Sequence, residues 1–336
     1  MIQFRLDSFY YFIMQISVII CTHNPREDYF QRVLKALELQ TLSKDQWEVL
    51  LVDNASNELL AEKWNLSWHP KARHIREVEL GLTPARLRGI HESRGEILVF
   101  VDDDNVLAAN YLEQALRIAN EKPWVGAFGG NIEPEFECEP EESLGKLVDW
   151  VGVVRVTEEK WALGKASIAQ PYCPIGAGMV IRRFLALRYA ELSESNPIRK
   201  KLDRKGAALL CHGDTDMALC ACDLGMAVGR FPYLQLIHLI PVRRTKEKYI
   251  FRLIEDAAFS DGLFMYIREG KVPDLPTEIK PCRSEKIFQI YKDLRNNING
   301  KKQTKSNEQK FDEVWLRGTK RAYSEIIRIQ AEGCQK

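Results

Sequence analysis

The sequence has no run of 18 or more apolar residues, which excludes a membrane-spanning helix of ordinary length. It has no CxxC…CxxC arrangement among its 8 cysteines, so a structural zinc site is not expected. Their spacing is not framework-like, and free thiols in a reducing cytoplasm are the simpler expectation. It lacks an excess of either charge: 48 Lys and Arg face 47 Asp and Glu. A net +1 gives no global field for nucleic acid, so any binding electrostatics are local. Internal repeats are absent. The aromatic start, Met1 to Ile13, contains Asp7 and lacks a small-residue cleavage site, which makes it a poor signal peptide. Met14 is the expected natural start, or else 1–13 form a peripheral appendage.

What is present is ordinary globular composition, 45% apolar and 28% charged over 336 residues. That argues against wholesale disorder and suffices for one to three domains. Ile16 to Cys21 is a short β-branched strand, broken by Thr22-His23-Asn24-Pro25. A helix follows over roughly 27–40, with Phe30, Val33, Leu34 and Leu37 on one side. Strand 48–52 ends in Asp53-Asn54-Ala55-Ser56, and a weaker strand lies near 75–80. Thr83 is the expected N-cap, and Pro84 the first residue, of a helix through about Ser93. Strand 96–101 and a helix over about 108–121 follow, then a strand over 124–130. This alternation predicts an α/β fold with a mostly parallel sheet flanked by helices.

Downstream, the acidic, proline-punctuated stretch 133–142 reads as a solvated loop. The basic stretch 199–206 reads as a mobile loop, and 231–240 as a late strand. From Thr245 the pattern turns helical, with a polar linker over 296–310 and a last amphipathic helix over about 311–330.

Three adjacent carboxylates, Asp102, Asp103 and Asp104, close strand 96–101. Ligands of open α/β sheets bind outside the carboxyl ends of strands. Three neighbouring acids repel one another, so a cation is expected among them. A divalent metal carrying a diphosphate fits, because a hard cation held by one or two carboxylates neutralises phosphate oxygens. Side chains at i and i+2 of an extended segment share a side. Asp102 and Asp104 should therefore converge, with Asp104 the direct metal contact and Asp103 turned toward a ribose or a backbone amide. The competing reading is a capping cluster before the next helix.

Ser17 to Asn24, Val52 to Ser56, Gly81 to Ile90 and Phe100 to Asn105, in that order and spacing, together resemble the family 2 glycosyltransferases of the GT-A fold. Gly213-Asp214-Thr215-Asp216-Met217 and Ile237 to Pro241 extend the resemblance, which covers about 14–262. It implies a Rossmann-like nucleotide-diphospho-sugar transferase: an inverting enzyme moving a sugar from a nucleotide diphosphate donor to an acceptor, with Mg²⁺ or Mn²⁺. The expected organisation is an appendage (1–13), a nucleotide-sugar-binding half (14–121), an acceptor-binding half (122–245) and a helical C-terminal extension (246–336).

The resemblance implies that Asp53 accepts a hydrogen bond from the base, with Thr22 and His23 lining that pocket. Against this, Asp-Asn-Ala-Ser is good turn chemistry. Arg86 in a helix first turn opposes the helix dipole, which suggests a donor-side role. The family pattern Ala-Arg-Asn-x-Gly has Leu87 in place of its Asn here, and Arg88 reads as a solvated helix residue. An inverting transfer needs a carboxylate on the acceptor side. Asp214 matches that base; Gly213 replaces the Glu of the usual Glu-Asp-x-Asp, leaving open which of Asp214 and Asp216 acts. His238 either approaches the metal or is a satisfied core residue. Arg243 and Arg244 can hold phosphate. Trp150 and Trp161 fall in the acceptor half, as platforms or as packing.

No Gln-x-x-Arg-Trp occurs, which disfavours the processive synthase branch. The expected acceptor is a glycan, a lipid-linked precursor or a small molecule, and the expected location cytoplasmic. Helix 246–268, with flanking basic residues, suits peripheral contact with an anionic membrane, a homodimer contact, or a lid on the core. Two rival readings are a sugar nucleotidyltransferase and a non-catalytic nucleotide-sugar or carbohydrate-binding module. The first wants a glycine-rich basic loop after the first strand, which Thr22-His23-Asn24-Pro25 lacks. The second is opposed by the intact Asp102, Asp104 and Asp214.

Overall fold

A computed structural model describes residues 15–164, 172–275 and 306–333. The appendage 1–13 and residues 296–305 of the linker lie outside the described residues. The N-terminal part alternates as expected: β1 (Ile16–Thr22), α1 (Glu27–Glu38), β2 (Trp47–Asn54), α2 (Leu60–Lys63), β3 (Ala72–Glu77), α3 (Leu82–Glu92), β4 (Ile97–Val101), β5 (Asn105–Leu107) and α4 (Tyr111–Glu121). There follow β6 (Val125–Phe136), a 3₁₀ segment (Glu142–Val151), β7 (Lys160–Ala162), β8 (Val180–Arg182) and α5 (Arg183–Ser195). The chain continues through α6 (Gly213–Asp223), β9 (Ala227–Ile240), α7 (Glu247–Glu269) and α8 (Asn307–Gly333).

The strands form one sheet in the order β3-β2-β1-β4-β8-β6-β9-β5, with β7 also on β9. The parallel expectation holds for β3, β2, β1 and β4. It fails beyond β4: β8 runs antiparallel to both β4 and β6, and β5 and β7 run antiparallel to β9. Only β6 and β9 are parallel there.

Period-2 alternation divides the central strands between two cores. Ile16, Val18, Ile20, Trp47, Val49, Leu51, Ile97 and Val99 face α1 and α4, meeting Phe30, Val33, Tyr111 and Leu112. Ile19, Leu50, Val52, Leu98 and Phe100 face the other way, meeting Ala85 and Ile90 of α3, Leu185 and Tyr189 of α5, and Met217 of α6. Every residue of β1, β2 and β4 is buried, so these strands tolerate no polar face.

Three local expectations are corrected. Gly81, at φ 144°, rather than Thr83 is the N-cap of α3, because the Thr83 hydroxyl donates to Leu202 O at 2.8 Å. The acidic stretch is not all solvated loop. Residues 133–136 continue β6 along β9, and Arg32 pairs with Glu135 and Arg26 with Glu137, both at 2.5 Å. The basic stretch 199–206 is anchored rather than free: Arg199, Leu202 and Asp203 are buried, while Lys200, Lys201, Arg204, Lys205 and Gly206 are exposed.

Helix α7 covers part of the core. Its Ile250, Phe251 and Ile254 pack with Leu144, Leu147 and Val151, and with Phe311 and Val314 of α8. Among the described residues, no helix is long and apolar enough to cross a membrane.

Candidate active site

The carboxyl ends of β1, β2 and β4 open into a cavity of about 320 Å³. Its walls carry Thr22, His23 and Asn54, the acidic triplet Asp102, Asp103 and Asp104, and Gly176, Cys211 and Asp214. Arg86, Arg204 and Arg244 also line it, as does Asp203, so five carboxylates and three guanidiniums face one space.

The triplet leaves the strand as a turn rather than extending it. The Asn105 side chain accepts from the Asp102 N–H at 3.2 Å, and its amide donates to Asp104 Oδ1 at 3.0 Å. The three carboxylates then diverge in environment. Burial and the adjacent Asp104 push Asp103 up to about 7, although it accepts from the Thr22 hydroxyl. Burial and Asp104 also raise Asp102. Burial opposes charge at Asp104 too, yet the His238 ring and the Arg244 guanidinium hold it far below the usual carboxylate range.

His238, on β9, brings Nε2 to 3.5 Å from Asp104 Oδ2. Asn105 pairs with His238 across β5 and β9, which fixes this approach. Two ligands of one divalent ion, each about 2.1 Å from it, lie about 3–3.5 Å apart, so this oxygen and nitrogen suit such an ion. The expected set of three is not assembled. Asp102 lines the cavity without joining the pair, and no cluster of three His, Cys, Asp or Glu side chains forms among the described residues.

Arg86 is buried on α3 and donates to Asp203 at 2.8 Å. Burial opposes its charge, but Asp203, Asp214 and Asp102 together raise its pKa. Leu87, standing where the family pattern has Asn, is buried in the core, and Arg88 pairs with Glu92 at the surface. Asp214 Oδ2 accepts from Gly176 N–H at 2.6 Å and Oδ1 from Thr215 N–H at 2.8 Å. A Cβ on Gly176 would collide with Arg86 and press on Asp214, so glycine is required where the two side chains meet.

Asp203 is the participant that sequence reasoning missed. It accepts from Gly213 N–H at 3.1 Å as well as from Arg86. A Cβ on Gly213 would collide with its carboxylate. A carboxylate from the basic loop thus fills the space beside Gly213, where the family motif carries Glu. Its signal was visible only as one acid among bases. Arg204 follows it into the cavity wall and reaches Tyr249 Oη at 3.3 Å.

Other expected residues lie outside the cavity wall. Asp53 spends its carboxylate on Ser56 N–H, Leu60 N–H and Arg76, at 3.1, 3.2 and 2.5 Å, which is the turn-forming role. Asp216, expected on the acceptor side, is buried between Arg199 and Arg268 at 2.5 and 3.2 Å. Trp150 packs on Phe311 and Trp315, and Trp161 pairs with Trp124 at 6.3 Å on the outer edge. Arg243 is exposed and absent from the wall, whereas Arg244 is on it.

A mixed α/β sheet with an acid-lined cavity at its strand ends defines a protein of the GT-A nucleotide-diphospho-sugar transferase class. The chain belongs to glycosyl transferase family 2, whose model matches residues 17–185. It is 33% identical over 121 residues to glycosyltransferase AglE of Haloferax volcanii, covering 35% of this chain and 39% of that protein. It is 28% identical over 112 residues to the poly(ribitol-phosphate) beta-N-acetylglucosaminyltransferase TarS of Staphylococcus aureus, covering 32% and 19%. The crystal structure of TarS residues 1–349 with UDP superposes with a TM-score of 0.46 at 17% identity, over 74% of this chain and 65% of that one. The matched stretches span well under half the length of these two curated relatives.

Proposed function

We propose that this chain transfers a sugar, with inversion, from a nucleotide diphosphate donor to a hydroxyl of a glycan, lipid-linked or small-molecule acceptor. One observation carries the reading: the acidic triplet and Asp214 line a single cavity that also holds three arginines. A donor needs cations for its diphosphate, and an acceptor needs a base; both are within one enclosure.

The half over 14–121 takes the nucleotide. Thr22, His23 and Asn54 meet the base, with Asp53 and Arg76 bracing the turn behind them. Asp103, bridged to Thr22, meets the ribose. Arg86, Arg204 and Arg244 meet phosphate oxygens. Asp104 and His238 are the residues that would hold Mg²⁺ or Mn²⁺, with Asp102 on the same cavity wall. Such an ion supplies charge neutralisation to the departing diphosphate. The half over 122–245 takes the acceptor.

Asp214 acts as general base. As the acceptor oxygen bonds to the anomeric carbon, its proton passes to the Asp214 carboxylate. The bond from that carbon to the diphosphate breaks from the opposite side, and its electrons leave on the phosphate oxygen. The two backbone N–H groups on Asp214 fix the carboxylate plane.

The reading is tested by turnover of UDP-, GDP- and dTDP-sugars with a panel of acceptors, following nucleoside diphosphate release with Mn²⁺ or with EDTA. Release that requires both ion and acceptor supports it. No release from any donor under any condition contradicts it.

A further inference from the structure

Asp104 and His238 meet at a point that is already filled. The Arg244 Nη1 lies 2.9 Å from Asp104 Oδ2 and 3.1 Å from His238 Nε2. The side chains of all three are largely withdrawn from solvent, at 10%, 8% and 18% exposed for Asp104, His238 and Arg244. An arginine N–H can only donate, so this contact is a hydrogen bond to Nε2 in the tautomer that carries the ring proton on Nδ1. That tautomer leaves Nε2 free to ligate a cation. Nδ1 is buried with no hydrogen-bond partner, and so is Nε of Arg244. The guanidinium is thus held on the pair with part of its fork unsatisfied, a cost that its departure would relieve. It approaches the pair from the 3₁₀ turn after β9, whereas the pair itself is set by the sheet.

We propose that Arg244 is the resident cation of this site: it holds Asp104 and His238 together in the metal-free protein and is displaced when a divalent ion binds. This rests on the reading of the pair as ion ligands. Without Arg244, the buried Asp104 carboxylate would lose the guanidinium that lies 2.9 Å from it. With it, a divalent ion must compete with a cation already tethered to the same two atoms. Affinity for the ion is reduced by the fraction of molecules in which the guanidinium is seated. The protein is thereby pre-organised but closed to the free ion, and the ion enters only by exchange.

The test is equilibrium Mn²⁺ binding in the absence of nucleotide, with unbound Mn²⁺ read by electron paramagnetic resonance. The wild type, Arg244→Met, Arg244→Lys and Asp104→Asn are compared, with Arg244→Gln replacing the Met variant if circular dichroism shows that it is unfolded. Arg244→Met is expected to bind Mn²⁺ about tenfold tighter than the wild type or better, because the closed fraction is removed. Arg244→Lys keeps a cation and stays near the wild type. If Arg244→Met binds no tighter while Asp104→Asn still weakens binding, the site is real and the proposal for Arg244 is overturned. If Asp104→Asn leaves Mn²⁺ binding unchanged, the ion-ligand reading itself fails, and the proposal with it.

Discussion

Arg86 donates to Asp203 at 2.8 Å, with each side chain only 4% exposed. The pair ties α3 to the basic segment 199–206 and so places Arg204 on the cavity wall. Removing one partner of a buried ion pair leaves an uncompensated charge. Asp203→Ala is therefore expected to cost about 3–5 kcal/mol, measured by urea unfolding. Arg86→Met with Asp203→Leu should cost less than Asp203→Ala alone, because no buried charge is left unpaired. A double variant at least as destabilised as Asp203→Ala would contradict this.

Asp214 and Asp216 lie two residues apart and are predicted to behave oppositely. Asp214→Asn should lower kcat by about 10²–10⁴ with little change in unfolding midpoint. Asp216→Ala strands the buried Arg199 and leaves Arg268 with Asp223 alone, and should lower stability by about 3–5 kcal/mol. Steady-state kinetics and urea titration on both variants check the pair of statements. An Asp216 variant that folds normally and loses only kcat would reverse the assignment.

Gly176→Ala puts a methyl where Arg86 and Asp214 converge. Displacing a base by about 1 Å can cost about 10²-fold in rate. The expected result is a fall in kcat accompanied by a smaller loss of nucleoside diphosphate affinity, because the methyl displaces the Arg86 guanidinium as well as the Asp214 carboxylate. Calorimetric titration with nucleoside diphosphate alongside kinetics separates the two.

His69 gives a pH prediction away from the cavity. Burial, with Lys44 and Lys71 nearby, pushes its imidazole down to about 4. Its ring lies 4.2 Å from that of Trp47, and its Nδ1 accepts from Lys71 N–H at 3.2 Å, a bond that a proton there would break. Above the ordinary histidine value of 6.5 the ring is neutral whether folded or unfolded. Below it the unfolded chain takes up the proton first, so stability falls between pH 6.5 and about 4, by on the order of 3 kcal/mol. His69→Asn keeps an acceptor for Lys71 and should flatten that slope in urea unfolding against pH. An unchanged slope would assign the effect elsewhere.

The strands β1, β2 and β4 were legible because burial on both faces demands continuous apolar runs, and their carboxyl ends located the acidic triplet. Strand direction beyond β4 was not legible, since β5, β7 and β8 are three residues each and carry no period. The Asp214 motif could be read, but not the exclusion of Asp216, which depends on Arg268 arriving from α7, 52 residues later. Asp203 looked like one acid in a solvated basic loop because its partner Arg86 lies 117 residues earlier. Arg244 was readable as a phosphate-binding residue; that it already sits on Asp104 and His238 follows only from the fold.

The central claim is that the cavity holds a nucleotide diphosphate through an ion bound by Asp104. Isothermal titration of UDP, GDP and dTDP in the presence and absence of Mn²⁺, on the wild type and on Asp104→Asn, tests it most directly. Saturable binding of at least one nucleotide is expected with Mn²⁺, markedly weakened without the ion and in Asp104→Asn. Binding that is equally tight without Mn²⁺ and in Asp104→Asn, or no binding of any of the three, would contradict it.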